Sequence, residues 1–141
     1  STRMIYRTDL VVLVPLSHPM AGRSSVRLAE LRKEEWILVA DHPDNGYRTF
    51  MLQMCRGAGF APRFSRAVAT QPSSLVSLVA SGMGIALAPR SMLSTGPAHF
   101  AVLATDCDPV NIYAVWLKDN DSPLLHNFLR VLEKLKSHVM P

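Results

Sequence analysis

The sequence predicts an α/β protein with a mostly parallel open sheet and helices on both faces. Three observations predict it. Continuous apolar runs of strand length, Leu10–Val14, Trp36–Ala40 and Ile85–Pro89, read as strands buried on both faces. Between the last two, apolar residues recur at helical spacing, and Gly, Pro, Asn and Asp mark each change of period. The order strand, helix, strand, helix, strand from Trp36 to Pro89 makes two successive βαβ units. Right-handed crossovers then imply a parallel sheet flanked by helices.

Each element has its own signal. Pro15 ends the first apolar run, Ser17-His18-Pro19 turns the chain, and Ser25 is placed to cap a short helix over Leu28–Lys33. After Trp36–Ala40, the turn-rich Asp41–Gly46 leads into a helix at Tyr47–Arg56, with Tyr47, Phe50, Met51, Met54 and Cys55 on one face. Gly57 and Gly59 both offer the positive φ that stops a helix. Arg63–Ala69 reads as the next strand. Pro72 suits the first helical position, Leu75, Leu78 and Val79 form a buried stripe, and Ser81-Gly82 ends that helix. Phe100–Leu103 and Ile112–Leu117 give two more strands around a turn at Asp106–Pro109. Ser122-Pro123 opens a final helix with the stripe Leu125, Phe128, Leu129, Leu132, Leu135 and Val139.

Composition narrows the function. The chain has 141 residues, 48% hydrophobic and 18% charged, which suits one core and excludes disorder. No apolar run approaches the ~20 residues a bilayer demands. The opening Ser1-Thr2-Arg3, with no apolar stretch and cleavage site behind it, gives three expectations: no secretory signal, a cytoplasmic location, and a piece of a longer protein. Cys55 and Cys107 lack metal-ligand or CxxC spacing and read as two buried thiols. The net charge of +4 is spread singly. Its densest group, Arg27, Arg32 and Lys33, alternates with Glu30, Glu34 and Glu35, as on a solvated helix face rather than a phosphate-tracking stripe.

Catalytic and cofactor motifs fail on geometry. Gly82-Met83-Gly84 follows a helix and precedes a strand, the reverse of a dinucleotide loop, so Gly82 is read as a helix stop and Gly84 as a close approach. A calcium loop begun at Asp41 would put Pro43 and Leu52 at ligand positions. The five histidines form no zinc pair, and no G-x-S-x-G elbow occurs. The expectation is no enzyme, no metal and no cofactor.

Topology supplies a site instead. Ligands of open α/β sheets bind beyond the carboxyl ends of the strands, where helix N-termini carry partial positive charge. Those places are the loop containing Asn45 and Arg48, the junction Thr70-Gln71-Pro72-Ser73, and Pro89-Arg90-Ser91. Thr70 and Gln71 can donate to a polar or anionic ligand, or Thr70, Gln71, Ser73 and Ser74 can simply satisfy the helix end. Asn45 and Arg48 also read as a turn residue and a solvated charge.

Several segments together resemble the LysR-type transcriptional regulators of bacteria. They are Leu10–Pro15 running into Ser17–Ala21, Val26–Leu31, Cys55–Pro62, Leu78–Pro89 and Tyr113–Leu117, in order and at matching spacing. The resemblance implies a regulator whose effector-binding region has two subdomains like type 2 periplasmic binding proteins, with a small molecule between them. It implies that residues 1–117 form the second subdomain with both crossover strands, and that residues 118–141 form a helix packing on a first subdomain outside this chain. Thr70, Gln71 and Pro72 match the helix start that lines the family's cleft. The expected partners are a small polar or anionic effector and further copies of the chain, with DNA reached only through a domain this chain lacks. The alternative is the solute-binding domain of a transport-type receptor.

Overall fold

The computed structural model describes residues 1–39, 46–93 and 99–139. The elements are β1 (Thr2–Thr8), β2 (Leu10–Pro15), β3 (Ser25–Val26), β4 (Glu35–Val39), α1 (Tyr47–Gly57), β5 (Arg63–Ala69), α2 (Pro72–Ala80), β6 (Ala86–Pro89), β7 (Phe100–Thr105), β8 (Val110–Val115) and α3 (Pro123–Val139). Short 3-10 turns occupy Leu28–Leu31 and Arg90–Met92. The chain divides into two compact units, Asp9–Asp108 and a smaller one made of Ser1–Thr8 with Pro109–Pro141, so β1 and β8 group with α3.

In the larger unit β2 lies between β6 and β7 and runs antiparallel to both. β3 is parallel to β7, and β4 is parallel to β5. A parallel bridge between Trp36 and Ile85 joins the β4–β5 pair to the segment entering β6. Five strands therefore share one direction and β2 alone is reversed. The βαβ expectation for Trp36–Pro89 holds, and the carboxyl ends of β3, β4, β5, β6 and β7 all lie at one end of the sheet.

Burial explains why β2 has no polar residue. Leu10 to Val14 are at most 3% exposed, so both faces of the strand are covered. Val11 and Leu13 share one cluster with Ile37, Ala69, Ala86, Ala88 and the α2 residues Leu75 and Val79. By strand alternation Val12, Trp36, Leu87 and Leu103 face the other way. They too are fully buried, as are Met51 and Cys55 of α1, which packs against β4. A helix-covered strand gains roughly 1.5–3 kcal/mol for each such side chain.

Three local expectations are corrected. Ser25 caps nothing; it sits in β3 opposite Ala104, and the short helix begins at Leu28. Its first N–H groups are met by carboxylates: Glu30 accepts from Arg27 N–H at 2.9 Å and Asp106 from Leu28 N–H at 2.9 Å. Gly57 stays helical, and the turn of positive φ falls at Gly59. The α3 stripe is split. Leu129 is buried and Leu125 and Leu132 half-buried, whereas Phe128 and Leu135 are more than half exposed beside Leu124 and Val131. Val139's side chain lies outside what the structure describes.

The smaller unit is a two-stranded antiparallel ribbon, β1 with β8, carrying α3 on one face. Leu129 and Leu132 meet Met4, Ile5 and Ala114, and the ion pair Arg3–Glu133 closes that seam at 2.9 Å.

Gly84 is the tightest backbone position. Its φ is +153°, and a Cβ there would stand 2.7 Å from the Glu35 carbonyl oxygen and 3.0 Å from Ile37 Cγ1. Gly84→Ala is expected to destabilise the protein by about 2–3 kcal/mol through backbone strain and steric overlap. Urea denaturation reads this directly, and a loss under about 0.5 kcal/mol would show that the close approach is dispensable.

Candidate functional site

The junction between β5 and α2 stands at the carboxyl end of the sheet. Thr70, Gln71 and Ser73 are exposed there, and Pro72 takes the first helical position. The capping question is answered mainly by Ser74. Gln71 is the N-cap residue in extended conformation, its N–H donates to Ser74 Oγ at 3.1 Å, and Ser74 Oγ donates to the Gln71 carbonyl at 2.8 Å. The Gln71 carbonyl also accepts the N–H groups of Ser74 and Leu75 at 3.1 and 3.3 Å.

A helix N-terminus has four N–H groups without helical partners. Here Pro72 has none to offer, and those of Gln71 and Ser74 are bonded as above. The Ser73 N–H remains, beside the exposed side chains of Thr70, Gln71 and Ser73. This helix start therefore offers exposed side chains more than a bare helix dipole.

Arg90 joins the same end of the sheet. It follows Pro89 at the tip of β6, is exposed, and its N–H donates to the Asp9 carbonyl at 2.8 Å. Val39 and Ala69 end β4 and β5 side by side.

Arg48 is placed differently. Its guanidinium lies over the Phe64 ring, 5.0 Å from the centroid, a cation–π contact rather than a free solvated charge. Phe64 is level with Trp36, and Ala69 with Val39. Three residues of β4 thus separate the Phe64 level from the strand tip, about 10 Å. The stacked guanidinium belongs to the body of β5, not to the Thr70–Ser73 group. Neighbouring Tyr47 is anchored through its hydroxyl, which donates to the Leu87 carbonyl at 2.5 Å, and burial pushes its pKa upward. Asn45 lies outside the described residues.

A second polar group at this end was not legible as a site. Arg23, Ser25, Arg27, Glu30, Thr105 and Asp106 line an open groove of about 460 Å³ at the tips of β3 and β7. Glu30 is its hub, bonded by both Arg23 nitrogens at 3.0 and 3.2 Å and by the Arg27 N–H. Thr105 Oγ1 donates to the Leu10 carbonyl at 2.9 Å and Asp106 holds Leu28 N–H, so the groove's groups are largely committed to the fold. The sequence signal was Glu30 three residues after Arg27; the Asp106 contact spans 78 residues and has no local signature.

The thiols are unpaired. Cys55 is buried and Cys107 half-buried. Burial first, and the neighbouring Cys107 second, push the Cys55 thiol up to about 11, which keeps it protonated and unreactive at neutral pH. Among the described residues no cluster of three or more metal-ligating side chains occurs, and no helix is long and apolar enough to cross a membrane.

This geometry, an open sheet with donors gathered at its carboxyl end, defines the class of small-molecule-binding α/β domains. The comparisons identify which one. Residues 1–136 match the model of the LysR substrate binding domain, and the chain belongs to that family. It is 28% identical over 125 residues to the transcriptional regulator AlsR of Bacillus subtilis, covering 86% of this chain and 40% of that protein. The fold is similar to the BenM effector binding domain with its effector benzoate, with TM-score 0.77, 21% identity, and 100% of this chain on 66% of that one. It is also similar to the regulatory domain of CcmR from Synechocystis PCC6803 in complex with 2-PG, with TM-score 0.79, 20% identity, and 99% of this chain on 68% of that one. The chain thus spans about two-fifths of AlsR and about two-thirds of those domains.

The Glu30 hub predicts an acid-sensitive signature. The Arg23 guanidinium first, then the Arg27 N–H, hold the Glu30 carboxyl down at about 2, from an ordinary 4.5. A depressed folded-state value means that its contribution is complete above about pH 4.5 and fades as the pH falls toward 2. An NMR titration should place the Glu30 midpoint near 2. The fall in denaturation midpoint across that window should shrink in Glu30→Gln, and an ordinary midpoint would remove the hub.

Proposed function

We propose that this chain is the effector-sensing part of a bacterial LysR-type transcription factor. A small molecule binds at the carboxyl end of the sheet, and binding alters how the regulator engages DNA. The observation that carries this reading is the exposed Thr70–Ser73 junction, whose cap is closed by Ser74 so that the Thr70, Gln71 and Ser73 side chains face solvent. Family membership supports the same reading, as do the ligands that BenM and CcmR carry in related folds. The work is recognition and not catalysis. Its setting is the cytoplasm, in an oligomer, with DNA contacted by a part of the regulator outside the matched span.

The effector is read as polar or anionic. No Asp or Glu occurs between Asp44 and Asp106, and Arg90 stands exposed at the β6 tip. Benzoate and 2-PG, bound by two relatives of fold, are the first probes to try. A transport-type receptor is not favoured, since the curated relatives are transcriptional regulators.

The smaller unit, in which β1 and β8 group with α3, leaves apolar side chains exposed. Tyr113 and Val115 of β8, and Leu117 two residues beyond it, alternate at 51, 74 and 80% exposure, and Met4 pairs with Tyr113. We assign their cover to the remaining third of the effector-binding domain, on which residues 118–141 would also pack. A contiguous apolar surface left in water is otherwise a liability.

Sensing requires the effector to bind one arrangement better than another, usually by about 1–3 kcal/mol. Calorimetry on the complete effector-binding domain, with benzoate, 2-PG and related carboxylates or phosphates, provides the test. Thr70→Ala and Gln71→Ala should each weaken binding of a responding anion about tenfold, as for loss of one hydrogen bond to a charged group. Unchanged affinity in both variants would move the site away from α2.

A further inference from the structure

At the carboxyl end of the sheet, β2 begins where β6 and β7 finish, and opposite charges stand there side by side without pairing. Leu10 is level with Pro89, and Val11 with Ala104. Continued past the strand ends, these registers set Asp9 between Arg90 on one side and Asp106 on the other. The Arg90 N–H donates to the Asp9 carbonyl at 2.8 Å, and Thr105 Oγ1, next to Asp106, donates to the Leu10 carbonyl at 2.9 Å. Residues placed opposite in this way lie about 5 Å apart at Cα. All three are exposed.

Among the described residues, neither the Asp9 carboxylate nor the Arg90 guanidinium has a hydrogen-bond or ion-pair partner. Asp106 accepts the Leu28 N–H at 2.9 Å through Oδ1 alone, and it lines the open groove it shares with Arg27. Arg27 does not neutralise it, because the Arg27 Nε lies 3.7 Å from Glu30. Two like charges on adjacent strands repel, so the Asp9–Asp106 gap favours a cation. A divalent metal suits it poorly. Such an ion takes roughly six oxygens, and among the described residues no cluster of three ligating side chains occurs.

We propose that the effector is a zwitterion of the amino-acid class, with its ammonium between Asp9 and Asp106 and its carboxylate on Arg90. This rests on effector sensing at the carboxyl end of the sheet and specifies the charge of what is sensed. An α-amino acid carries both charges on one carbon, so it can face neighbouring acidic and basic side chains at once. A bare acid bound to Arg90 would meet the Asp9 charge unrelieved, so the residues that admit the zwitterion reject the simple anion.

Calorimetry on the full-length regulator tests this with the standard L-amino acids and, for each that binds, the acid lacking the amine. At least one amino acid should bind, at least about tenfold more tightly than its acid. Asp9→Asn and Asp106→Asn should each reduce that preference to within about threefold, whereas Arg90→Gln should weaken the amino acid and its acid together. Asp106→Asn keeps an oxygen for the Leu28 N–H, and circular dichroism checks that the variants fold. No binding by any amino acid, an acid that binds as tightly, or a preference that survives both aspartate substitutions overturns the proposal. Binding of benzoate or 2-PG that depends on Thr70, without binding of any amino acid, overturns it and leaves effector sensing standing. An amino acid that behaves as expected but is unaffected by Thr70→Ala and Gln71→Ala upholds it and moves the site away from α2.

Discussion

Two backbone hydrogen bonds decide whether the sheet is one surface or two. Ile37 N–H donates to the Ile85 carbonyl at 2.8 Å, and Ile85 N–H to the Glu35 carbonyl at 2.9 Å. They are what ties β4 and β5 to β6, and thereby to the buried β2. Such an approach needs a residue with no Cβ beside Glu35, which Gly84 supplies. The glycine pair after α2 therefore ends a helix and lets two strand systems meet. Because the meeting is parallel, the tips of β5 and β6 point the same way, and Thr70 and Arg90 come to the same end of the sheet.

The single reversed strand has a comparable role. β2 bonds to β6 on one side and β7 on the other, so both neighbours run opposite to it and parallel to each other. Their carboxyl ends fall together because both pair with the same strand. A strand covered on both faces and bonded on both edges has no freedom to slip, since a one-residue shift would exchange its two buried faces. The carboxyl end of the sheet thus rests on the heavily buried β2, while Thr70, Gln71, Ser73 and Arg90 remain in water. Rigid support with exposed side chains is the arrangement that lets one fold serve different ligands by substitution at the tips.

Much of this was legible because it is local. The apolar run at Leu10–Val14, the α1 and α2 periodicities, and Pro72 at a helix start each carry their signal within a few residues. The close approach at Gly84 was legible too, since a glycine after a helix stop and before a buried strand has few other uses. What escaped depends on contacts distant in sequence. Ser25 has every local mark of a helix cap, yet pairing with Ala104 draws it into a strand, and Asp106 serves the helix end from 78 residues away. Arg48 looked like a solvated charge or a ligand contact because nothing nearby announces Phe64. The α3 stripe was right in period and too wide in face: the narrow β1–β8 ribbon covers Leu129 and its neighbours, leaving Phe128 and Leu135 beyond its edge.

That last mismatch separates two kinds of apolar exposure on this chain. On α3 and on β8, exposed residues repeat at the period of their element, four and three apart or every second residue. Such a pattern is how a sequence prepares for a continuous covering layer. At the end of α1, by contrast, Leu52 and Phe60 are isolated apolar residues flanked by arginines, in a groove with room for one or two side chains. A periodic face requires a partner element of the same length and belongs to folding. A small charged groove presents no such periodic face. The first kind of surface asks for a covering layer along its whole length, and the second does not.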